Sequence, residues 1–286
     1  MKRPKLGAHV SVAGKLSNGI ERAQSIGAEC IQIFGASPKQ WAVRGHEARD
    51  IEDFKKAREA AGIGPVYLHA AYLVNLCSPD SSSRQKSEVN LADHLKIASA
   101  IGAEGLIFHI GSGKEMPKDK ALAIVVESIQ RILLHVPGLA QLVIENSAGG
   151  GQKIGGNPEE IGEILSRVKS SRLKVCWDTA HAFESGIIEE YDAKRTKGMA
   201  KRLDQAFGMD ALVAMHINDS KTAFNSRHDR HENIGQGHIG LEGFKVLARE
   251  KLFADAAWIL EVPGFDGTGP DKKNIEILHS LFVRSR

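Results

Sequence analysis

Ala98-Ser99-Ala100-Ile101-Gly102-Ala103-Glu104 reads as the end of a helix, a tight turn and the approach to a strand. It leads into the apolar, β-branched run Leu106–Ile110. The same pattern stands at Ala23-Gln24-Ser25-Ile26-Gly27-Ala28-Glu29, ahead of the run Cys30–Phe34. In both copies a glycine follows the last apolar helical position, where it can cap the helix and send the chain back toward a sheet. Comparable runs recur at Leu6–Val10, Val66–His69, Leu142–Glu145, Lys174–Asp178, Leu212–Ile217 and Trp258–Val262. Segments of helical spacing with charged faces lie between them, as at Ile51–Ala61 and Glu88–Ile101. Strands that alternate with helices predict parallel βαβ units. Eight units in 286 residues match a single-domain (β/α)8 TIM barrel spanning 1–286. A doubly wound open sheet is the structural alternative. No linker or low-complexity tract divides the chain.

Composition sets the outer bounds. Apolar residues make up 42% of the chain, enough for a sizeable core, and formal net charge is +3. That mild excess permits nucleic-acid binding without arguing for it. No stretch approaches the ~18 apolar residues of a membrane span. The N-terminal Met1-Lys2-Arg3-Pro4 carries no secretion signal, so a cytoplasmic location is expected. The three cysteines, Cys30, Cys77 and Cys176, are odd in number and lack CxxC spacing. They read as reduced, buried thiols rather than a thiolate metal site.

In a barrel, chemistry gathers where the strands end. Here those ends carry His9, His69, His109, Glu145, Asp178, His216 and Glu261. One imidazole in such a place is easily satisfied by a backbone group. Seven polar strand ends converging on one mouth are different, and no Lys or Arg stands among them. The polar loop Asp229-Arg230-His231-Glu232-Asn233-Ile234-Gly235 adds a carboxylate and an imidazole two residues apart. Glu145, Asp178, Asp229 and Glu261 would crowd four negative charges into one cleft, which raises pKa values or drives the groups apart. Divalent metals remove that conflict, and neutral imidazoles share the coordination. A site filled with such ions attracts phosphate and ionises water near neutral pH. Hydrolysis of a phosphate ester is therefore expected.

The chain resembles the endonuclease IV family, the metal-dependent apurinic/apyrimidinic endonucleases of DNA repair. The resemblance runs over nearly the whole length. It is carried by Gly7-Ala8-His9-Val10-Ser11, His69-Ala70-Ala71-Tyr72-Leu73-Val74-Asn75-Leu76, Phe108-His109-Ile110-Gly111-Ser112 and Ile144-Glu145-Asn146. It continues through Asp178-Thr179-Ala180-His181-Ala182-Phe183, His216-Ile217-Asn218-Asp219-Ser220-Lys221, the segment Asp229–Gly240 and Leu260-Glu261. It implies a xylose-isomerase-like barrel holding three Zn2+ ions, with manganese replacing zinc at one or more sites in some members. By the family pattern, His69 and His109 bind the first metal and Glu145 bridges the first and second. Asp178, His216 and Glu261 complete the second, and His181, Asp229 and His231 hold the third. The implied reaction is hydrolysis of the phosphodiester 5′ to an abasic nucleotide in double-stranded DNA. Glu145 is also the candidate catalytic residue, orienting the attacking hydroxide. No partner subunit is called for, so a monomer is expected.

An enzyme acting inside a duplex must extrude its target. The resemblance assigns that entry to the Ser37–Trp41 loop, with Lys39, and to Tyr72 and Leu73. Lys39 stands where some members have Arg, which keeps the charge but loses a planar stacking group. Lys221, Arg227 and Arg230 beside the ligand loop suit phosphate contacts. Two further departures, Ile110 for a frequent Pro and Ala180 for a common Cys, contribute no metal-binding side chain. The Gly-rich Ala148–Gly156 lacks the Lys-Ser/Thr ending of a P-loop and reads as the loop after the fifth strand, leading to a helix near Pro158. Two rivals remain. A single-metal sugar isomerase or epimerase would need only Glu145, Asp178, His216 and Glu261, and leaves the other five ligands unexplained. A non-catalytic lesion-binding protein would be expected to have lost ligands, and none is missing.

Overall fold

Two-residue periodicity inside short apolar runs decides the architecture, because it lets one face of each strand line a common axis. The structure, a computed structural model, describes residues 2–283. Its elements in chain order begin β1 (Leu6–His9), α1 (Asn18–Ile26), β2 (Cys30–Phe34), α2 (Ala48–Ala61), β3 (Val66–His69), α3 (Ser81–Ile101), β4 (Gly105–His109) and α4 (Lys118–His135). There follow β5 (Gln141–Glu145), α5 (Pro158–Val168), β6 (Leu173–Asp178), α6 (Thr179–Glu184), α7 (Ala193–Phe207) and β7 (Leu212–His216). The chain closes with β8 (Asp219–Ser220), β9 (His231–Glu232), α8 (Gly240–Leu247), β10 (Ala257–Leu260) and α9 (Lys272–Ser280). Eight parallel strands close in the order β1-β10-β7-β6-β5-β4-β3-β2. That closure excludes the open doubly wound sheet. β8 and β9 form a separate antiparallel pair, which strand periodicity did not anticipate because each spans only two residues.

The repeated glycines do what the sequence predicts. Gly27 and Gly102 cap α1 and α3 in the left-handed conformation, at φ 83° and 73°. α3 starts seven residues before the apolar signal at Glu88, because Asp80 accepts hydrogen bonds from the Ser82 and Ser83 amides and nucleates a polar first turn. α2 likewise begins at Ala48 rather than Ile51. α5 begins at Pro158, capped by Asn157, directly after the Gly-rich loop. Several strands stop one or two residues short of the apolar runs. Glu261 lies just past β10, where its amide donates to Asn218 Oδ1 at 2.8 Å instead of continuing the ladder.

Two apolar layers hold the barrel. Inside it, Cys30, Tyr67, Ile107, Val143, Cys176, Ala214 and Ile259 fill the axis. Outside, the other strand face packs on the helices, with Trp177, Trp258, Phe54 and Phe244 fully buried. Stepping two residues along most strands leads from that inner apolar layer to a polar one: Tyr67 to His69, Ile107 to His109, Val143 to Glu145, Cys176 to Asp178, Ala214 to His216 and Ile259 to Glu261. All three cysteines are free and buried. Among the described residues, no helix is long and apolar enough to cross a membrane.

β1 and β2 approach each other closely at Gly7. A Cβ on Gly7 would overlap the Cys30 backbone carbonyl of the neighbouring strand. Gly7→Ala should therefore cost about 1–3 kcal/mol through overpacking. Urea melts followed by circular dichroism check this, and a wild-type midpoint would contradict it.

Candidate metal centre

Glu145 stands at the centre of the polar layer, fully buried at the end of β5. Its two carboxylate oxygens face different partners. Oε2 lies 3.1 Å from His69 Nε2 and 3.4 Å from His109 Nε2. Oε1 lies 2.9 Å from His216 Nδ1 and 3.3 Å from His181 Nδ1. Strand register sets this up, because His109 pairs with Glu145 and Asp178 pairs with His216 across neighbouring strands. Glu261 Oε2 reaches His216 Nδ1 at 3.1 Å, and Asp178 Oδ2 lies 3.8 Å from the same atom.

The remaining groups come from outside the barrel strands. α6 presents His181 one turn beyond Asp178, whose Oδ1 accepts the His181 amide at 2.7 Å. Asp229 comes from the segment before β9, and His231 is the first residue of β9. Asp229 divides its oxygens between two imidazoles, Oδ2 at 3.3 Å from His181 Nε2 and Oδ1 at 3.5 Å from His231 Nε2. All nine residues singled out in the sequence thus meet in one cluster. Four subsets bring a ligand atom from each member within 4.8 Å of one another. They are His69–His109–Glu145, His109–His181–Asp229, Asp178–His181–His231 and Glu145–Asp178–His216–Glu261.

Electrostatics make this donor set fit cations. Burial raises the cost of the charge on Glu145, yet His109 and His216 hold its carboxyl well below the usual range. Burial likewise opposes charge on Glu261 and Asp229, and the adjoining imidazoles, His216 and His181 foremost, outweigh it and push both carboxyls down. His181 is held well above the ordinary imidazole value, with Asp178 and Asp229 overcoming burial. His216 is held up in the same way, the Glu261 and Glu145 carboxylates overcoming burial. For His109 burial wins and the value falls. His109 Nδ1, His181 Nε2 and His231 Nε2 are buried ring nitrogens without a hydrogen-bond partner. Buried polar atoms ordinarily find one. Oxygens and imidazole nitrogens converging with unpartnered lone pairs suit zinc-like divalent ions. Burial pushes the Cys176 thiol up to about 12, so it stays protonated and outside that donor set.

A cleft of about 860 Å³ opens over the cluster, lined in part by His9, Phe34, His69, Tyr72, Asp229 and Thr268. Lys39 is exposed on the loop after β2. Tyr72 is 65% exposed and Leu73 38%, a high value for apolar side chains beside a polar site. The Tyr72 amide donates to the Pro38 carbonyl at 3.1 Å, tying the two mouth loops together. Lys221, Arg227 and Arg230 are exposed on the connection between β8 and β9. The Lys221 Nζ lies 4.0 Å from Glu232 Oε2, and Arg230 Nη1 donates to the Asp229 carbonyl at 2.8 Å. Arg227 is anchored through its backbone, donating to the Glu184 carbonyl at 2.9 Å.

Several supporting residues carried no role in the sequence reading. Asn146 brackets the Asp178 backbone, accepting its amide at 2.6 Å and donating to its carbonyl at 3.1 Å. Asn218 donates to Asp178 Oδ2 at 2.6 Å. Asp219, fully buried, accepts the amides of Gly235, Gly237 and Ile239 at 2.9–3.0 Å and fixes the loop after β9. Gly237 is required there, since a Cβ would run into the Ser220 carbonyl and the Asp219 carboxylate. Gln32, fully buried on β2, touches His9, His216 and Glu261. Asn146 directly follows β5, and Asn218 and Asp219 lie within three residues of the end of β7, a positional signal that was available. Gln32 gave a different one, a lone amide between Ile31 and Ile33.

A family model described as a xylose isomerase-like TIM barrel matches residues 20–281. A probable endonuclease 4 from Chloroflexus aggregans is 33% identical over 284 residues, covering 97% of this chain and 98% of that relative. The crystal structure of endonuclease IV from Thermus thermophilus superposes with a TM-score of 0.86 at 34% identity, over 97% of this chain and 98% of that one. A D-tagatose 3-epimerase-like protein also superposes, with a TM-score of 0.71 over 97% of this chain and 96% of its own. At 18% identity that likeness is one of fold alone. The sequence relatives and the fold place the chain in the endonuclease IV family of xylose isomerase-like TIM barrels.

Proposed function

We propose that the protein is a zinc-dependent endonuclease that cleaves double-stranded DNA on the 5′ side of abasic sites. The observation that carries the reading is the split of Glu145, whose two oxygens face separate pairs of imidazoles. A single-metal sugar epimerase has no use for that split, nor for His181, Asp229 and His231. We assign His69, His109 and Glu145 to a first ion and Glu145, Asp178, His216 and Glu261 to a second. His181, Asp229 and His231 hold a third.

Bound divalent ions would supply Lewis-acid activation of water and of the phosphodiester oxygens. The chain supplies position and enclosure. Water attacks phosphorus, the P–O3′ bond breaks, and the proton passes to the leaving 3′-oxygen, giving a 3′-hydroxyl and a 5′-deoxyribose phosphate. Glu145 orients the attacking water from the floor of the cleft. Tyr72 and Leu73, held out into solvent, occupy the space a displaced nucleotide leaves in the stack. Lys39, Lys221, Arg227 and Arg230 offer cations to the DNA backbone. One chain supplies every residue of this scheme, so the protein acts as a monomer, and DNA repair places it with the cytoplasmic chromosome.

A duplex carrying one tetrahydrofuran abasic analogue tests this reading, because the analogue blocks β-elimination. Zinc-loaded protein should nick it on the 5′ side, leaving a 3′-hydroxyl, and lose the activity on chelation. An intact duplex after incubation with fully metallated protein would refute the nuclease assignment. Metal analysis of the same preparation counts the ions and detects any manganese. Lys221→Ala and Arg227→Ala should each weaken duplex binding and lower the salt slope by about 1. An unchanged slope in fluorescence titrations removes those residues from the contact surface.

Metal affinity should depend steeply on pH. His181 and His216 have raised pKa values, so they stay protonated above about 6.5 in metal-free protein and must release protons to bind an ion. Zinc affinity should therefore climb as pH rises from 6.5, by up to roughly two log units per pH unit where both imidazoles titrate. Stability of the chelated protein moves the other way. A raised pKa stabilises fully below the unfolded value and is lost as pH rises through the folded one. Zinc competition against a chelating dye and thermal melts of chelated protein at pH 6.5, 7.5 and 8.5 measure both. A flat affinity profile would contradict the assignment of these imidazoles as ligands.

A further inference from the structure

Gln32 is a polar residue in the middle of an apolar strand, and both of its amide protons and its carbonyl oxygen are engaged. Its Nε2 donates to Glu261 Oε1 at 2.5 Å and to His9 Nδ1 at 2.8 Å. Its Oε1 lies 2.8 Å from His216 Nε2. The amide can be oriented in one way only. Reversed, it would set its carbonyl oxygen against the Glu261 carboxylate, two acceptors without a proton between them. The orientation in turn fixes His216. An acceptor beside Nε2 requires a proton on Nε2, so Nδ1, 2.9 and 3.1 Å from the Glu145 and Glu261 carboxylates, is the nitrogen left to a metal.

We infer that Gln32 is a positioning residue for the second metal. It locks His216 in the Nε2–H form, so that Nδ1 is the coordinating atom, and it aims Glu261 through Oε1 while leaving Oε2 free. One neutral side chain thus sets two ligands contributed from the far side of β1. His9 completes the arrangement by accepting the second amide proton, which accounts for an imidazole at this strand end that is not among the nine ligands. Partners of this kind fix the tautomer and ring orientation of coordinating histidines, and losing them typically costs ten- to a hundredfold in metal affinity. The inference rests on the metal reading proposed above.

The experiment is a long-range 1H–15N correlation spectrum of zinc-loaded protein labelled with 15N-histidine, with His216→Asn used to assign the ring. The expected result is a protonated Nε2 and a zinc-shifted Nδ1. Metallation at Nε2 would overturn the inference. Gln32→Met, close in volume and without hydrogen bonds, should lower zinc affinity about ten- to a hundredfold in dye competition. Its kcat on the abasic duplex should recover in excess zinc, with KM for DNA unchanged. Wild-type zinc affinity in a folded Gln32→Met protein also counts against the inference, and if that variant does not fold the wild-type spectrum still decides. Wild-type protein that takes up no zinc would sink the metal reading itself, whereas normal zinc uptake with Nε2 metallated sinks only the role of Gln32.

Discussion

A parallel barrel points alternate residues of eight strands at one axis, and at its upper end this chain places carboxylates and imidazoles there. Four carboxylates and five imidazoles then share a space too small for either set alone. Each charge is tolerable only because an opposite or neutral partner stands next to it. Glu145 depends on His109 and His216, and Asp229 depends on His181 and His231. The apolar layer directly below, from Tyr67 round to Ile259, withholds water and keeps those interactions strong. Fold and chemistry are therefore one constraint, since whatever closes the barrel also forces the charges together.

The ends of barrel strands carry five of the nine groups, and a sixth, Glu261, is the residue just past β10. The other three arrive on short pieces outside the barrel, α6 and the start of β9 with the residues before it, and these need their own fastening. Asp178 serves both sets, as a strand-end carboxylate and as the cap that seats His181. Asp219 performs the corresponding task for the loop beyond His231, gathering backbone amides around one buried carboxylate. Glu184 adds a third fastening, taking the hydroxyl of Ser220 at 2.7 Å beneath the loop that carries Asp229. The cluster is held by groups that never face the cleft.

The barrel was legible because its signal is repetitive. Eight apolar runs, and the twin Ile-Gly-Ala-Glu turns at Ile26 and Ile101, each announce a strand. The clustered side chains were legible because they sit at fixed offsets from those runs, or within the resemblance at Asp178–Phe183 and Asp229–Gly240. The β8–β9 pair was not, since two residues carry no periodicity. Neither was the role of Gln32. An amide between Ile31 and Ile33 announces a buried polar group, but its partners lie 184 and 229 positions away and appear only when the barrel closes. The start of α3 was hidden for the opposite reason, because its first turn is polar and local capping, not burial, begins it.

The bond between the Tyr72 amide and the Pro38 carbonyl joins two exposed loops that belong to different strands. Linked in this way, they have fewer independent ways to move than two free loops would. Fixing a flexible residue costs roughly 1–2 kcal/mol of conformational entropy. Part of that cost is met when the chain folds, before anything approaches the mouth. A large surface settling on Tyr72 and Leu73 thus meets a prearranged wedge, and more of its contact energy remains for deforming what it brings.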